Sequence, residues 1–184
     1  MKICLNKITS AHPDCKHIKR LYNSAFPSEE RAPFRVLANR SVKDCVDFLS
    51  IHSGDEFIGF AYVVNYNDLS YLFYFAVEEK YRGMGFGSDV LKALKQRYSD
   101  RRLFLAIETL DENADNYDMR VRRKNFYMRN GFEDLKSKIR EGSMYYSALG
   151  IGGDIGDEEF RLLMNNYLGK FLSLFVKTGM YKEN

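Results

Sequence analysis

Tyr71-Leu72-Phe73-Tyr74-Phe75-Ala76-Val77-Glu78-Glu79-Lys80-Tyr81-Arg82-Gly83-Met84-Gly85-Phe86-Gly87-Ser88 is the stretch on which the fold turns. Its first seven residues are apolar or aromatic and predict a strand. A charged turn carries the chain into three glycines at positions 83, 85 and 87. From Ser88 to Tyr98 the period changes, with Val90, Leu91, Leu94 and Tyr98 on one helical face. Glycines between a strand and a helix let the backbone approach a ligand with no Cβ in the way. The first amides of the helix then point outward without partners, and the helix dipole adds partial positive charge. Such a turn cradles phosphate or pyrophosphate, and Arg82 adds a charge-assisted contact.

Three phosphate-binding patterns compete for these residues. A Walker A loop needs a Lys after its last glycine, and none follows here. The dinucleotide fingerprint needs its third glycine at position 88, which is Ser, and an early βαβ unit. Arg-x-x-Gly-x-Gly fits through Arg82, Gly85 and Gly87. The plain alternative is a glycine-rich turn that holds no ligand.

Upstream, Ile3 to Ile8 alternates weakly as a strand, and Asp14 caps a helix carrying Ile18, Leu21, Tyr22 and Phe26 on one face. Ser28-Glu29-Glu30-Arg31 reads as a second helix start, with Pro33 early enough to be tolerated. Val46 to His52 and Glu56 to Asn65 flank Ser53-Gly54-Asp55 as a hairpin. Downstream, Leu103 to Ile107 is a short buried strand, and Met119 to Arg129 a helix closed by Asn130-Gly131. Phe132 to Ile139 and Ser143 to Leu149 form a last hairpin. After the connector Gly150 to Gly156, a C-terminal helix of about 157–178 is expected. Its Phe160, Leu163, Met164, Tyr167, Leu168, Phe171, Leu172, Leu174, Phe175 and Val176 make a stripe broad enough for a homodimer contact.

The length of 184 residues suits a single domain, residues 1–184, and 45% apolar with 29% charged residues is ordinary for a folded soluble protein. A net charge of +3 lacks the basic excess of a nucleic-acid binder, so no nucleic-acid partner is expected. Cys4, Cys15 and Cys45 are scattered, as are His12, His17 and His52, which argues against a metal site and for a reducing compartment. Met1 to Lys7 lacks the apolar run of a signal peptide, and Phe171 to Val176 is too short to span a bilayer. A cytoplasmic protein with no membrane partner is the expectation.

These features carry a family resemblance. Val77 to Gly87 resembles the loop with which GCN5-related N-acetyltransferases (the GNAT family) wrap the pyrophosphate of coenzyme A. Arg123-Lys124-Asn125-Phe126-Tyr127-Met128-Arg129-Asn130-Gly131-Phe132 is similar to the family's second motif, a helix ending in Phe-Tyr followed by Gly-Phe. Residues 45 to 149 are covered, and Ala25 to Arg31 resembles the acceptor-side region of a subset. The resemblance implies an acyl-CoA N-acyltransferase fold, an α/β (α+β) domain whose mixed, mainly antiparallel sheet splays at its centre. It implies acetyl-CoA as co-substrate, bound by the strand end Phe75, Ala76 and Val77 and by Arg82, Gly83, Met84, Gly85, Phe86, Gly87 and Ser88. The acceptor would be an amine of a small molecule or peptide. A catalytically silent coenzyme A-binding or ligand-sensing module with the same fold is the alternative.

Thioester aminolysis needs a neutral amine and a proton for the departing thiolate. An alkyl ammonium loses its proton near a pKa of about 10.4, and a thiol near about 8.5, so an acid and a base both help. By its place in the second motif, Tyr127 is the general-acid candidate; filling core space is its plain alternative. Glu108, ending a strand on the side where the sheet should open, is the carboxylate able to accept the amine proton or bind a cationic acceptor. Glu29 and Glu30 are further acceptor-side candidates. Arg120, Arg122, Arg123 and Lys124 form a basic cluster, of which Arg123 is the candidate for the coenzyme's 3′-phosphate.

Overall fold

A computed structural model describes residues 2–28, 31–141, 144–169 and 178–182. The chain divides into two compact units, Met1–Val64 with Leu72–Arg97, and Asn65–Tyr71 with Tyr98–Asn184.

In the first unit, β1 (Cys4–Lys7) runs antiparallel to β2 (Val46–Ser53), with Cys4 opposite His52 and Lys7 opposite Leu49. β2 in turn pairs antiparallel with β3 (Glu56–Tyr66), and β4 (Leu69–Val77) follows β3 in the sheet. The residue that admits this last pairing is Gly59. A Cβ there would sit 2.2 Å from the Ala76 carbonyl oxygen and 3.0 Å from the Val77 Cα, so only glycine lets the two backbones meet.

Helix α1 (Cys15–Ala25) buries Ile18, Leu21 and Tyr22, the i, i+3, i+4 set of an amphipathic face. Tyr22 meets the Phe60 ring edge-on at 6.2 Å and the Tyr74 ring at 4.9 Å. The Tyr22 hydroxyl also donates to the Ala32 carbonyl at 2.9 Å, and the Ala32 N–H donates to the Tyr74 hydroxyl at 3.2 Å. Both backbone groups of Ala32 are thereby satisfied by buried phenols.

Helix α2 spans Phe34–Arg40, later than the start expected at Ser28. Pro33 adopts φ −53°, ψ 123°, and a residue preceding proline is driven out of the helical region, so the helix begins only after Pro33. Glu29 and Glu30 lie outside the described residues. Helix α3 (Phe86–Arg97) follows the glycine-rich turn and buries Phe86, Val90, Leu91 and Leu94.

In the second unit, the first residues of β4 pair in parallel with β5 (Arg102–Glu108), Leu69 to Arg102 and Tyr71 to Phe104. β5 continues antiparallel with β7 (Met144–Ile151), from Leu103↔Ile151 to Glu108↔Tyr146. β7 pairs with β6 (Glu133–Glu141), and β6 with β8 (Thr178–Lys182). Across the described residues there are eight strands in a mainly antiparallel arrangement, flanked by helices. Tyr71 stacks on Phe104 at 4.6 Å, and Phe160 packs edge-on against both.

Helix α5 covers Asp157–Leu168 and is shorter than expected. Gly169, at φ 80° and ψ 158°, leaves the helical region in a conformation open mainly to glycine, and Thr178 already belongs to β8. Phe160, Leu163, Met164 and Tyr167 are buried within the fold. Phe171, Leu172, Leu174, Phe175 and Val176 lie outside the described residues. No described helix is long and apolar enough to cross a membrane.

Candidate functional site

The candidate residues fall into two groups, one in each unit. In the first, β4 ends at Val77, a single turn of 3₁₀-helix covers Glu79–Tyr81, and the glycine-rich turn leads into α3. Gly83 and Gly85 take φ 75° and 87°, and an added Cβ at either would meet no atom within 4 Å. Their backbones therefore face open space in a conformation other residues rarely adopt. The Ser88 and Asp89 amides both donate to the Gly85 carbonyl, at 3.0 and 3.1 Å. Gly85 is thus where the helical ladder begins, and the Phe86 and Gly87 amides precede the first helical bond.

Arg82 is exposed, and its Nε donates to the Val77 carbonyl at 3.1 Å, fastening the guanidinium to the strand end. Met84 is exposed as well, while Phe86 turns inward against Tyr81 at 5.1 Å. Along β4 the Ala76 carbonyl meets Gly59 and the Glu78 amide donates to the Ile58 carbonyl at 2.9 Å, so both face β3. Strand alternation then turns the Phe75 and Val77 peptide groups to the opposite edge. An arginine fixed beside a helix start with outward amides is a donor set that suits a pyrophosphate.

The same unit holds a polar recess of about 410 Å³, lined by Asp14, His17, Arg20, His52, Glu78 and Lys80 among others. In its wall the Asp14 carboxylate accepts from the buried Ser50 hydroxyl and lies 2.8 Å from His52 Nε2. Burial works against the charged carboxylate, but the Ser50 and His52 contacts outweigh it and hold Asp14 below the usual aspartate value.

In the second unit, Glu108 and Arg123 are bonded between β5 and α4 (Tyr117–Arg129), and Tyr127 stands one helical turn beyond Arg123. Glu108 Oε2 accepts from Arg123 at 2.5 Å. Its Oε1 accepts from Asn116 Nδ2 at 2.9 Å and lies 3.3 Å from Arg120 Nε. The Glu108 side chain is 12% exposed. Arg120 also donates to the Asn116 side-chain oxygen and to the Thr109 carbonyl, each at 2.7 Å. Lys124 pairs with Asp134 at 2.7 Å, and Arg122 is exposed.

Tyr127 lies in the last turn of α4, its ring edge-on to Phe126 at 5.2 Å and Phe132 at 5.6 Å. Burial pushes its phenol up to about 12, against the opposing pull of the Arg123 charge. The motif downstream has a backbone cause. The Gly131 amide donates to the Met128 carbonyl at 2.9 Å and the Phe132 amide to the Tyr127 carbonyl at 3.1 Å, with Gly131 at φ 85°. This pair of bonds is a Schellman closure, and it fixes the buried Phe132 beside the Tyr127 ring.

Three features were not anticipated: the Arg120–Asn116–Glu108 fork, the close approach at Gly59, and the two phenols on Ala32. Gly59 had a sequence signal, a lone glycine inside a strand pattern. Among the described residues no group of three or more His, Cys, Asp or Glu is placed to hold a metal ion.

Residues 45–134 match the family model described as the acetyltransferase (GNAT) domain. Among solved structures, the chain is similar to a protein from Bacteroides thetaiotaomicron described as an acetyltransferase of the GNAT family. Identity is 21%, TM-score 0.70, and coverage 94% of this chain and 99% of that one. It is also similar to the ribosomal-protein-S18-alanine N-acetyltransferase of Escherichia coli, at 18% identity and TM-score 0.59, covering 85% and 97%. A GNAT family acetyltransferase of Elizabethkingia anophelis with acetyl-CoA bound matches at 13% identity and TM-score 0.58, covering 82% and 98%. At these identities the likeness is one of fold. No curated protein sequence matches the chain.

Proposed function

Residues 45–134 belong to the GNAT acetyltransferase family, and on that premise we propose that this protein transfers the acetyl group of acetyl-CoA directly to a primary amine of a small molecule or peptide. The observation that carries the proposal is the turn at 82–88, where two left-handed glycines face open space and Arg82 is fastened to the end of β4. In this reading Arg82 and the amides from Gly83 to Ser88 hold the pyrophosphate, and the Phe75 and Val77 peptide groups line the pantetheine arm. Arg123 already donates to Glu108, so the 3′-phosphate is not assigned to it in this reading.

The thioester supplies an activated acetyl group and a thiolate leaving group. Tyr127 Oη gives its proton to the departing sulfur as the C–N bond forms and the C–S bond breaks, and regains a proton from the amine nitrogen through water. A phenol raised to about 12 keeps that proton at neutral pH.

The test is thiol release from acetyl-CoA across a panel of polyamines, aminoglycosides, amino acids and peptides, with mass analysis of the product. The expected result is at least one amine that accelerates release and is recovered as its acetamide. Coenzyme binding without turnover on any amine would favour the silent ligand-sensing module instead.

A further inference from the structure

We propose that Glu108 is a positioning residue: its carboxylate holds helix α4, and with it the Tyr127 phenol, to the end of β5, and it is not the acceptor of the amine proton. The inference rests on the acetyl-transfer reading for what Tyr127 does, and on geometry for everything else.

A helix that packs on a sheet normally does so through an apolar stripe. Helix α4 has no buried residue at all. Asn116, Arg120, Arg123 and Tyr127 stand at i, i+4, i+7 and i+11, which is one stripe. Its first three members converge on Glu108: Asn116 and Arg120 on one oxygen, Arg123 on the other. Where an ordinary helix would bury leucines, this one is fastened by a carboxylate.

Asn116 is the residue before the helix, where a side chain usually caps a backbone amide. It makes no such bond and spans Glu108 and Arg120 instead. Arg120 adds a bond to the Thr109 carbonyl, just beyond β5. Arg123 lies one helical turn before Tyr127 on the same stripe, so the Arg123–Glu108 bond, with the Lys124–Asp134 pair beside it, helps set the rotation of the helix where the phenol leaves it. A general base, by contrast, must turn an oxygen to the substrate proton. Both Glu108 oxygens already accept from the chain's own donors, and an incoming amine would have to displace a guanidinium.

Three variants test this: Glu108→Ala, Glu108→Gln and Asn116→Ala. A Gln oxygen still accepts on one of the two sides, Arg123 or Asn116 with Arg120, and takes up no proton, whereas Ala accepts on neither. Positioning therefore predicts that Glu108→Gln keeps a kcat about tenfold or more above that of Glu108→Ala, and keeps the acid limb of the wild-type pH–rate profile, since small misplacements cost rate steeply. Asn116→Ala, which leaves the carboxylate in place, should lower kcat by about threefold or more for the same reason. Equal losses in Glu108→Gln and Glu108→Ala, with the acid limb gone from both, would make Glu108 the base. Wild-type kcat in Asn116→Ala would overturn the proposal as well, and that variant stands in should Glu108→Ala not fold.

Amide hydrogen exchange separates this from the activity itself. Exchange across Tyr117–Arg129 should quicken in Asn116→Ala and Glu108→Ala and stay slower in Glu108→Gln. Unchanged exchange in all three sinks the inference whether or not the protein acetylates anything. A wild type without turnover sinks the acetyl-transfer reading and leaves the exchange result to decide the role of Glu108.

Discussion

Tyr127 keeps its proton at neutral pH because its surroundings are poor solvent for a phenolate, which pushes the phenol up to about 12. If it serves as the acid, Tyr127→Phe should lower kcat by roughly a hundredfold, within the range of general-acid contributions, and leave the coenzyme Kd unchanged. Steady-state rates and isothermal calorimetry on the one variant check both halves. Asp14 gives a second expectation. Its folded-state pKa lies below that of the unfolded chain, so as pH falls the unfolded chain takes up the proton first. The stability that Asp14 contributes is therefore full above the ordinary aspartate range and is lost as pH drops through the lower folded value. Denaturant midpoints should accordingly fall less between neutral and acid pH in Asp14→Asn than in the wild type. The helix end at Tyr127 and its Gly131 turn were legible because that motif is local, within six residues. The partners of Glu108 were not: Arg120, Arg122, Arg123 and Lys124 look alike in sequence, and only the helix's rotation selects which two face β5.

At the scale of elements, the strands and helices with clean periodicity were legible, and the departures are backbone effects. Helix α2 starts late because Pro33 governs the residue before it. Helix α5 ends at Leu168 because Gly169 turns to positive φ, a break that the apolar pattern running past it does not announce, and the five residues of β8 are too few to announce a strand. Gly59 is the most exacting position of this kind. Gly59→Ala would drive a methyl into the Ala76 carbonyl, and backbone cannot step aside as a side chain can. The cost should reach about 1–3 kcal/mol in a denaturant titration, as for other overpacked sites. If the end of β4 lines the coenzyme as proposed, strain on Ala76 and Val77 should also weaken coenzyme affinity in the same variant.

For the whole molecule, the mixed α/β class and the single glycine-rich turn were readable, but the division into two units was not, because β4 serves both. Its residues up to Tyr71 pair with β5, and those from Leu72 belong with the first unit. A chain severed after Arg97 should divide unequally. Fragment 1–97 contains every segment of the first unit and should fold by circular dichroism. Fragment 98–184 lacks Leu69–Tyr71 and also Asp68, which pairs with Arg102 at 2.7 Å, and should stay unfolded until the other fragment is added. The interposed β7 extends the same point into the cell. A chain leaving the ribosome has its first unit in hand at Arg97, yet β5 meets its antiparallel partner only when Ile151 emerges. At about 5–20 residues per second, Leu103, Phe104, Leu105 and Ile107 wait several seconds with no neighbour on that side. A nascent-chain chaperone would find its natural hold there.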